Sequence, residues 1–181
     1  MLDVTTLPLD DGRVRLRPMR PEDASPYATG SADAAVRQFG HLPEPEYTPD
    51  SVRTMIVRDV EPALERGDLA VLVIADAATD AFAGSLVVFD VRDDTAEVGF
   101  WLSPEARGTG FATAALGLAA RFARASGLAR LTARTVPENA GSQRALAAAG
   151  FAHTGSAHEP APSGQDVEVL CYELRLSPQG D

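Results

Sequence analysis

The chain has 181 residues, 45% hydrophobic and 23% charged, which suits one packed domain and excludes wholesale disorder. Twenty-six acidic against 16 basic residues give a formal net charge of −10, a field that repels nucleic-acid phosphate and anionic lipid and favours cationic partners. All 16 basic residues are arginine, so a lysine Schiff base, a P-loop lysine and a kinase-type lysine are excluded.

The first 11 residues are acidic and lack the basic and apolar regions of a signal peptide. Residues 13–17 alternate arginine with Val14 and Leu16, the pattern of a half-buried strand, and Pro21-Glu-Asp opens a short helix. Residues 40–49, with three prolines and two glutamates, read as an ordered loop. Thr48 or Asp50 caps a helix to about Arg66, with Val52, Ile56, Val60 and Leu64 as its buried stripe and Gly67 as its stop. Residues 69–74 are continuously apolar, a strand covered on both faces, and residues 82–89 form the next strand after a hairpin turn. Residues 95–102 alternate clearly. Ala96, Val98, Phe100 and Leu102 share one face; Glu97, Gly99 and Trp101 share the other.

A glycine-containing turn over 104–110 leads into a long helix to about Ala125, whose core stripe is Phe111, Ala115, Leu118 and Phe122. Leu131, Ala133 and Thr135 alternate as a strand, a turn at 136–139 starts a helix to about Ala149, and Gly150 is its C-cap glycine. Residues 151–158 and 166–176 are two closing strands joined by a loop rich in proline and glycine. The one cysteine, Cys171, sits in the second of these; it excludes internal disulfides and any multi-cysteine metal site. His41, His153 and His158 are too scattered for a metal motif, and no run of about 18 apolar residues marks a membrane span. The expectation is a soluble cytoplasmic protein with no metal, no nucleic-acid partner and no membrane partner. Its expected organisation is an N-terminal extension over 1–12, one α/β domain with a mixed sheet over 13–176, and a tail over 177–181.

The chemistry concentrates in Arg107-Gly-Thr-Gly-Phe-Ala-Thr113, between a strand and the start of a long helix. Glycines there let successive backbone N–H groups converge, the helix N-terminus adds unsatisfied donors, and Arg107 can supply a formal charge and a planar donor fork, so the turn can cradle a phosphate without lysine. The alternative is a glycine-rich turn with ordinary helix capping. A dinucleotide fingerprint fits poorly: Thr113 stands at the third glycine position, and Arg130 and Leu131 stand where an acid should meet a ribose.

Arg107-x-x-Gly110-x-Ala112 after a strand ending Phe-Trp-Leu resembles the R/Q-x-x-G-x-G/A signature of the GNAT acyltransferase superfamily. Val136-Pro-Glu-Asn139-Ala-Gly-Ser142, then Ala149-Gly150-Phe151, is similar to a second block in the branch containing ribosomal-protein N-terminal acetyltransferases, RimJ/RimL-like. The opening Arg15-Leu-Arg-Pro-Met-Arg-Pro-Glu-Asp23 resembles that branch's first strand and helix, and the likeness spans residues 13–176. It implies an α+β GNAT fold: a mostly antiparallel sheet of six or seven strands with a splayed central pair. It also implies acetyl transfer from acetyl-CoA to a primary amine, with a cationic acceptor and no metal. The fold also allows a homodimer.

By that resemblance, the CoA pyrophosphate sits on the amides of Arg107, Gly108, Thr109, Gly110, Phe111, Ala112 and Thr113. The pantetheine arm runs beside Phe100, Trp101 and Leu102, and Asn139 hydrogen-bonds it near the reactive end. A backbone N–H around Leu102 polarises the thioester carbonyl. Ser142 lies near the sulfur and is the candidate acid for the leaving thiolate; Asn139 and Ser142, three apart, also read as a helix cap and a first-turn hydroxyl. Glu97 is the candidate base, against the alternative of a strand carboxylate held in an ion pair. Trp101 reads either as an acceptor-pocket wall or as packing, and Cys171 as inert packing. Glu44, Glu46 and Tyr47, with the loop at 159–165, are expected to wall the amine site. Succinyl- or another acyl-CoA as donor, and a non-catalytic CoA-binding sensor, remain open.

Overall fold

The computed structural model describes residues 1–40, 42–160 and 166–176. His41, the 159–165 loop from residue 161 onward, and the 177–181 tail lie outside the described residues.

Eight strands form one open sheet: β1 (Leu9–Asp10), β2 (Val14–Pro18), β3 (Ala70–Asp76), β4 (Phe82–Arg92), β5 (Thr95–Leu102), β6 (Arg130–Thr135), β7 (Ala152–Pro160) and β8 (Asp166–Arg175). Their spatial order is β1-β2-β3-β4-β5-β6-β8-β7, antiparallel at every edge except β5–β6. The count exceeds the expected six or seven through β1, two residues long and too short for periodicity to reveal. Residues ahead of it are also packed: Leu2 is buried, and its N–H bonds Gly67 O at 2.8 Å.

Helices α1 (Ala24–Ser31), α2 (Ala34–Phe39), α3 (Pro49–Met55), α4 (Glu61–Arg66), α5 (Phe111–Ala125) and α6 (Ala140–Ala148) flank the sheet. Thr48, not Asp50, caps α3, through reciprocal bonds with Ser51. A π segment, Ile56–Val60, joins α3 to α4 as one continuous rod. This explains the strict four-residue spacing of Val52, Ile56 and Val60, all buried. On a 3.6-residue turn such a stripe drifts by roughly 40° per step, and the wider π turns drift the opposite way and offset it.

The helices divide the core in two. Ala96 and Val98 of β5 face the larger cluster, with Leu116, Leu118 and Phe122 of α5 and Leu146 of α6. Trp101 faces the smaller one, with Tyr27 and Ala28 of α1, Val52 of α3 and Ile56. Strand β2 is fixed by charge as well as packing. Arg17, 3% exposed, forks onto both oxygens of the buried Asp23 at 2.8 and 2.9 Å and reaches Asp80 at 3.1 Å.

The parallel pair positions the site. Strands β5 and β6 stay in register at Thr95↔Arg130, Ala96↔Leu131 and Glu97↔Thr132 only, and then separate. The crossover between them is α5, as a parallel connection requires. On its other side, β5 remains paired with β4 through Leu102.

Candidate active site

Strand alternation decides what the wedge between β5 and β6 contains. Ser103 N–H bonds Ala83 O at 2.9 Å, so the odd-numbered residues of β5 exchange bonds with β4; Asp94 O accepts the Ala129 and Arg130 N–H groups, so the even-numbered ones face β6. Past Glu97 there is no β6 partner, and the Phe100 peptide and the Leu102 N–H border the wedge as an unpaired strand edge. Trp101 belongs to the other set. Its ring is buried edge-on against Tyr27, centroids 5.2 Å apart, and tilted on Phe82 at 5.7 Å. Gly30 permits this approach, since a Cβ there would lie 2.6 Å from Trp101 Cζ3.

At the open end, a 3-10 turn (Pro104–Ala106) leads through Arg107 to Gly108 and Gly110, with φ of 73° and 83°. Gly110 is the N-cap of α5, and the helical ladder starts with Ala114 N–H on Gly110 O at 3.1 Å. The N–H groups of Phe111, Ala112 and Thr113 therefore precede the first helical bond and point out of the helix end, where its dipole is positive. A Cβ on Gly108 would meet nothing within 4 Å, so the loop is open on that side.

Arg107 lies beside this loop, but its charge is engaged. Its Nη2 donates to Asp33 Oδ1 at 2.5 Å and to Leu102 O at 3.1 Å. Asp33 is also the N-cap of α2, accepting from Ala35 N and Val36 N at 3.1 Å each. The Arg107 hydrogen bond, helped by those amides, holds the Asp33 carboxyl below its usual range. Arg107 thus ties α2 to the end of β5, beside a cavity of about 790 Å³ bordered by Gly30, Asp33, Phe82, Ser103 and Phe111.

Helix α6 follows β6 across the wedge. Asn139 Oδ1 accepts Ser142 N–H at 3.1 Å, so the cap anticipated from the three-residue spacing is formed. The Ser142 hydroxyl and the Asn139 amide N–H₂ have no protein partner among the described residues.

Glu97 occupies the last position of β5 paired with β6, its side chain 13% exposed, and accepts from Arg134 Nε at 2.9 Å. Arg134 also binds Glu159 of β7, and the two carboxylates, Glu97 foremost, hold its guanidinium above its ordinary range. Arg134 was not singled out by sequence. It reads as the outward residue between buried Ala133 and Thr135, and its partners lie 37 and 25 positions away. The register puts Glu97, Thr132, Arg134, Cys171 and Glu159 on one face of the sheet.

The remaining candidates are dispersed. Glu44 and Glu46 are exposed, and Tyr47 packs edge-on against Tyr27 at 5.4 Å. His153 lies against Tyr172, 5.3 Å between centroids, and His158 pairs across the ladder with Glu168. Among the described residues, no group of three or more His, Cys, Asp or Glu is placed to hold a metal. No helix of those residues is long and apolar enough to cross a membrane.

An open mixed sheet, a wedge between parallel central strands and a glycine turn at a helix N-terminus define a GNAT-type acyltransferase architecture. The family model for the acetyltransferase (GNAT) domain matches residues 13–152, and the chain belongs to that family. The fold is similar to Mycobacterium smegmatis RimJ in complex with CoA-disulfide (TM-score 0.81, 24% identity, 90% of this chain and 81% of that one). It is equally similar to ribosomal-protein-S5-alanine acetyltransferase from Vibrio fischeri (TM-score 0.81, 17% identity, 97% and 100%). Spermidine N-acetyltransferase from Vibrio cholerae, in complex with CoA and spermine, gives a TM-score of 0.76 at 16% identity over 92% and 97%. No curated protein gives a significant sequence match.

Proposed function

We propose that the chain is an acetyl-CoA-dependent N-acetyltransferase of the cytoplasm, its catalytic domain spanning residues 13–176 and its acceptor a cationic primary amine. The observation that carries this is the wedge itself: an unpaired strand edge at Phe100 and Leu102, with the free N-terminal donors of α5 at its mouth and the Ser142 hydroxyl and Asn139 amide N–H₂ at the start of α6 across it. A polar, extended thioester arm satisfies such an edge as a strand would, and its pyrophosphate suits the amides of 108–113. Structures of this fold hold CoA in the RimJ complex and in the spermidine N-acetyltransferase complex, which supports the donor.

In this reading the Leu102 N–H faces the thioester carbonyl and stabilises charge that develops on its oxygen. The amine nitrogen bonds the carbonyl carbon, the C–S bond breaks, and Glu97 takes the amine proton directly or through one water. The Ser142 hydroxyl, which has no protein partner among the described residues, is the donor assigned to the departing thiolate. Glu97 and Glu159 against the single charge of Arg134 leave one net negative charge on that face, which suits an ammonium acceptor.

Calorimetric titration with acetyl-CoA, followed by thiol release over a panel of primary amines, tests the proposal. Binding with release for at least one cationic amine is the expected result. Binding without release across the panel would replace it with a sensor, and preferential turnover of succinyl-CoA would replace the donor. Glu97→Gln should lower kcat by about 10²-fold or more, the scale of a lost general base, while leaving CoA affinity intact. An unchanged kcat and pH profile would remove Glu97 from the mechanism.

A further inference from the structure

The motif arginine of the glycine turn, Arg107, is charge-balanced by Asp33 and turned onto Leu102 O. A different cation stands at the turn. Arg13, just ahead of β2, lies 96 positions earlier in the chain than Thr109. Its Nη1 is 3.5 Å from Thr109 O and 2.7 Å from where a Cβ on Gly110 would stand. Its neighbours Arg15, Arg17 and Arg20 are each bound to Asp10, Asp23 or Asp80, whereas no carboxylate among the described residues lies within 4.0 Å of Arg13. Electrostatics disfavours this placement in the absence of an anion. Cations belong at helix C-termini, and here an unpaired guanidinium faces the positive end of a 15-residue helix. An anion at the turn is attracted by the guanidinium and by the helix end together, which offsets their mutual repulsion.

We infer that Arg13 binds a phosphate of the CoA nucleotide half and supplies the formal charge that the sequence motif attributes to Arg107. This rests on the CoA-dependent reading above. The contact expected is with the pyrophosphate, because Arg13 lies against the same two residues that lead into α5. A planar guanidinium gives that phosphate a paired donor fork, and the backbone amides supply the rest of its shell. Gly110 then has two reasons to be glycine, its φ of 83° and the approach of Arg13.

The test compares wild type with Arg13→Gln and Arg13→Lys, using CoA, dephospho-CoA and S-acetyl-pantetheine. Arg13 is exposed, so both variants should unfold at the wild-type midpoint. Arg13→Gln should weaken CoA about tenfold or more and raise the KM for acetyl-CoA by the same factor, with kcat within about twofold. Arg13→Lys should recover part of the loss, and turnover of S-acetyl-pantetheine, which has no phosphate, should be unaffected. An equal loss with dephospho-CoA supports the pyrophosphate contact; a loss confined to CoA supports a phosphate contact at the 3′ position. CoA affinity within twofold of wild type in Arg13→Gln would overturn the inference and leave the acyltransferase reading intact. Failure of wild type to bind CoA would overturn that reading instead.

Discussion

Gly108 and Gly127 stand at opposite ends of α5 in the same left-handed conformation, φ 73° and 79°, and at both a new Cβ would meet nothing within 4 Å. Alanine therefore imposes the same backbone strain at each, about 1–2 kcal/mol. The reduced freedom of the unfolded chain offsets about 0.4–1 kcal/mol of it. The net loss is about 1 kcal/mol, a fall in Tm of roughly 2–4 °C for a chain of this size. Ligand binding separates the two positions. A methyl on Gly108 projects over the open side of the donor turn and holds a phosphate off its amides; one on Gly127 projects into solvent beyond the other end of the helix. A hydrogen bond to a charged group contributes about 1.5–3 kcal/mol, so losing one weakens CoA roughly ten- to hundredfold. Urea denaturation should show matched destabilisation, and calorimetry should show CoA affinity lost in Gly108→Ala alone. Equal affinity losses, or wild-type affinity in Gly108→Ala, would refute the assignment of this turn to the phosphate.

Arg17→Met strips the buried Asp23 of its guanidinium fork and should cost about 3–5 kcal/mol in urea unfolding, whereas Arg17→Met with Asp23→Leu should recover much of it. Gly84→Ala places a Cβ 2.2 Å from Trp101 O, a backbone atom with no room to yield, and should cost about 3 kcal/mol, the upper end of overpacking. For acid stability, desolvation raises the Asp80 carboxyl, but Arg17, Arg15 and Arg20 together hold it below its usual range. A depressed folded-state pKa contributes stability that is complete above the ordinary aspartate pKa of about 3.9 and is lost as pH falls below it. Urea midpoints between pH 2.5 and 5 should therefore fall less steeply in Asp80→Asn than in wild type.

Much of the fold was legible because it rests on local patterns. The alternation of residues 95–102 matches β5 to the residue, and the stripe of Ala115, Leu118 and Phe122 faces the core as its spacing requires. Gly67, Gly127 and Gly150 end their helices with positive φ. Strand β1 and helix α2 were not legible; the one has two residues and the other six, too few to show a period. In the candidate site, the donor turn and the Asn139 cap could be read, since both are encoded within a few residues. The partners of the charged groups could not. Asp33 meets Arg107 across 74 positions and Glu97 meets Arg134 across 37, so each pairing exists only once the sheet has formed. Arg107 is charge-balanced by Asp33 for that reason, and the base candidate Glu97 carries a counterion, Arg134, that no spacing announced.

The aromatic cluster behind β5 has a practical corollary. Trp101 is the chain's one tryptophan, 8% exposed, and Tyr27 and Tyr47 follow it at centroid steps of 5.2 and 5.4 Å. All indole emission thus originates from a fixed position on the strand that borders the wedge, with two phenols close enough to transfer excitation to it. The chain thus carries its own optical probe of that cluster, readable in the native sequence without attaching a dye.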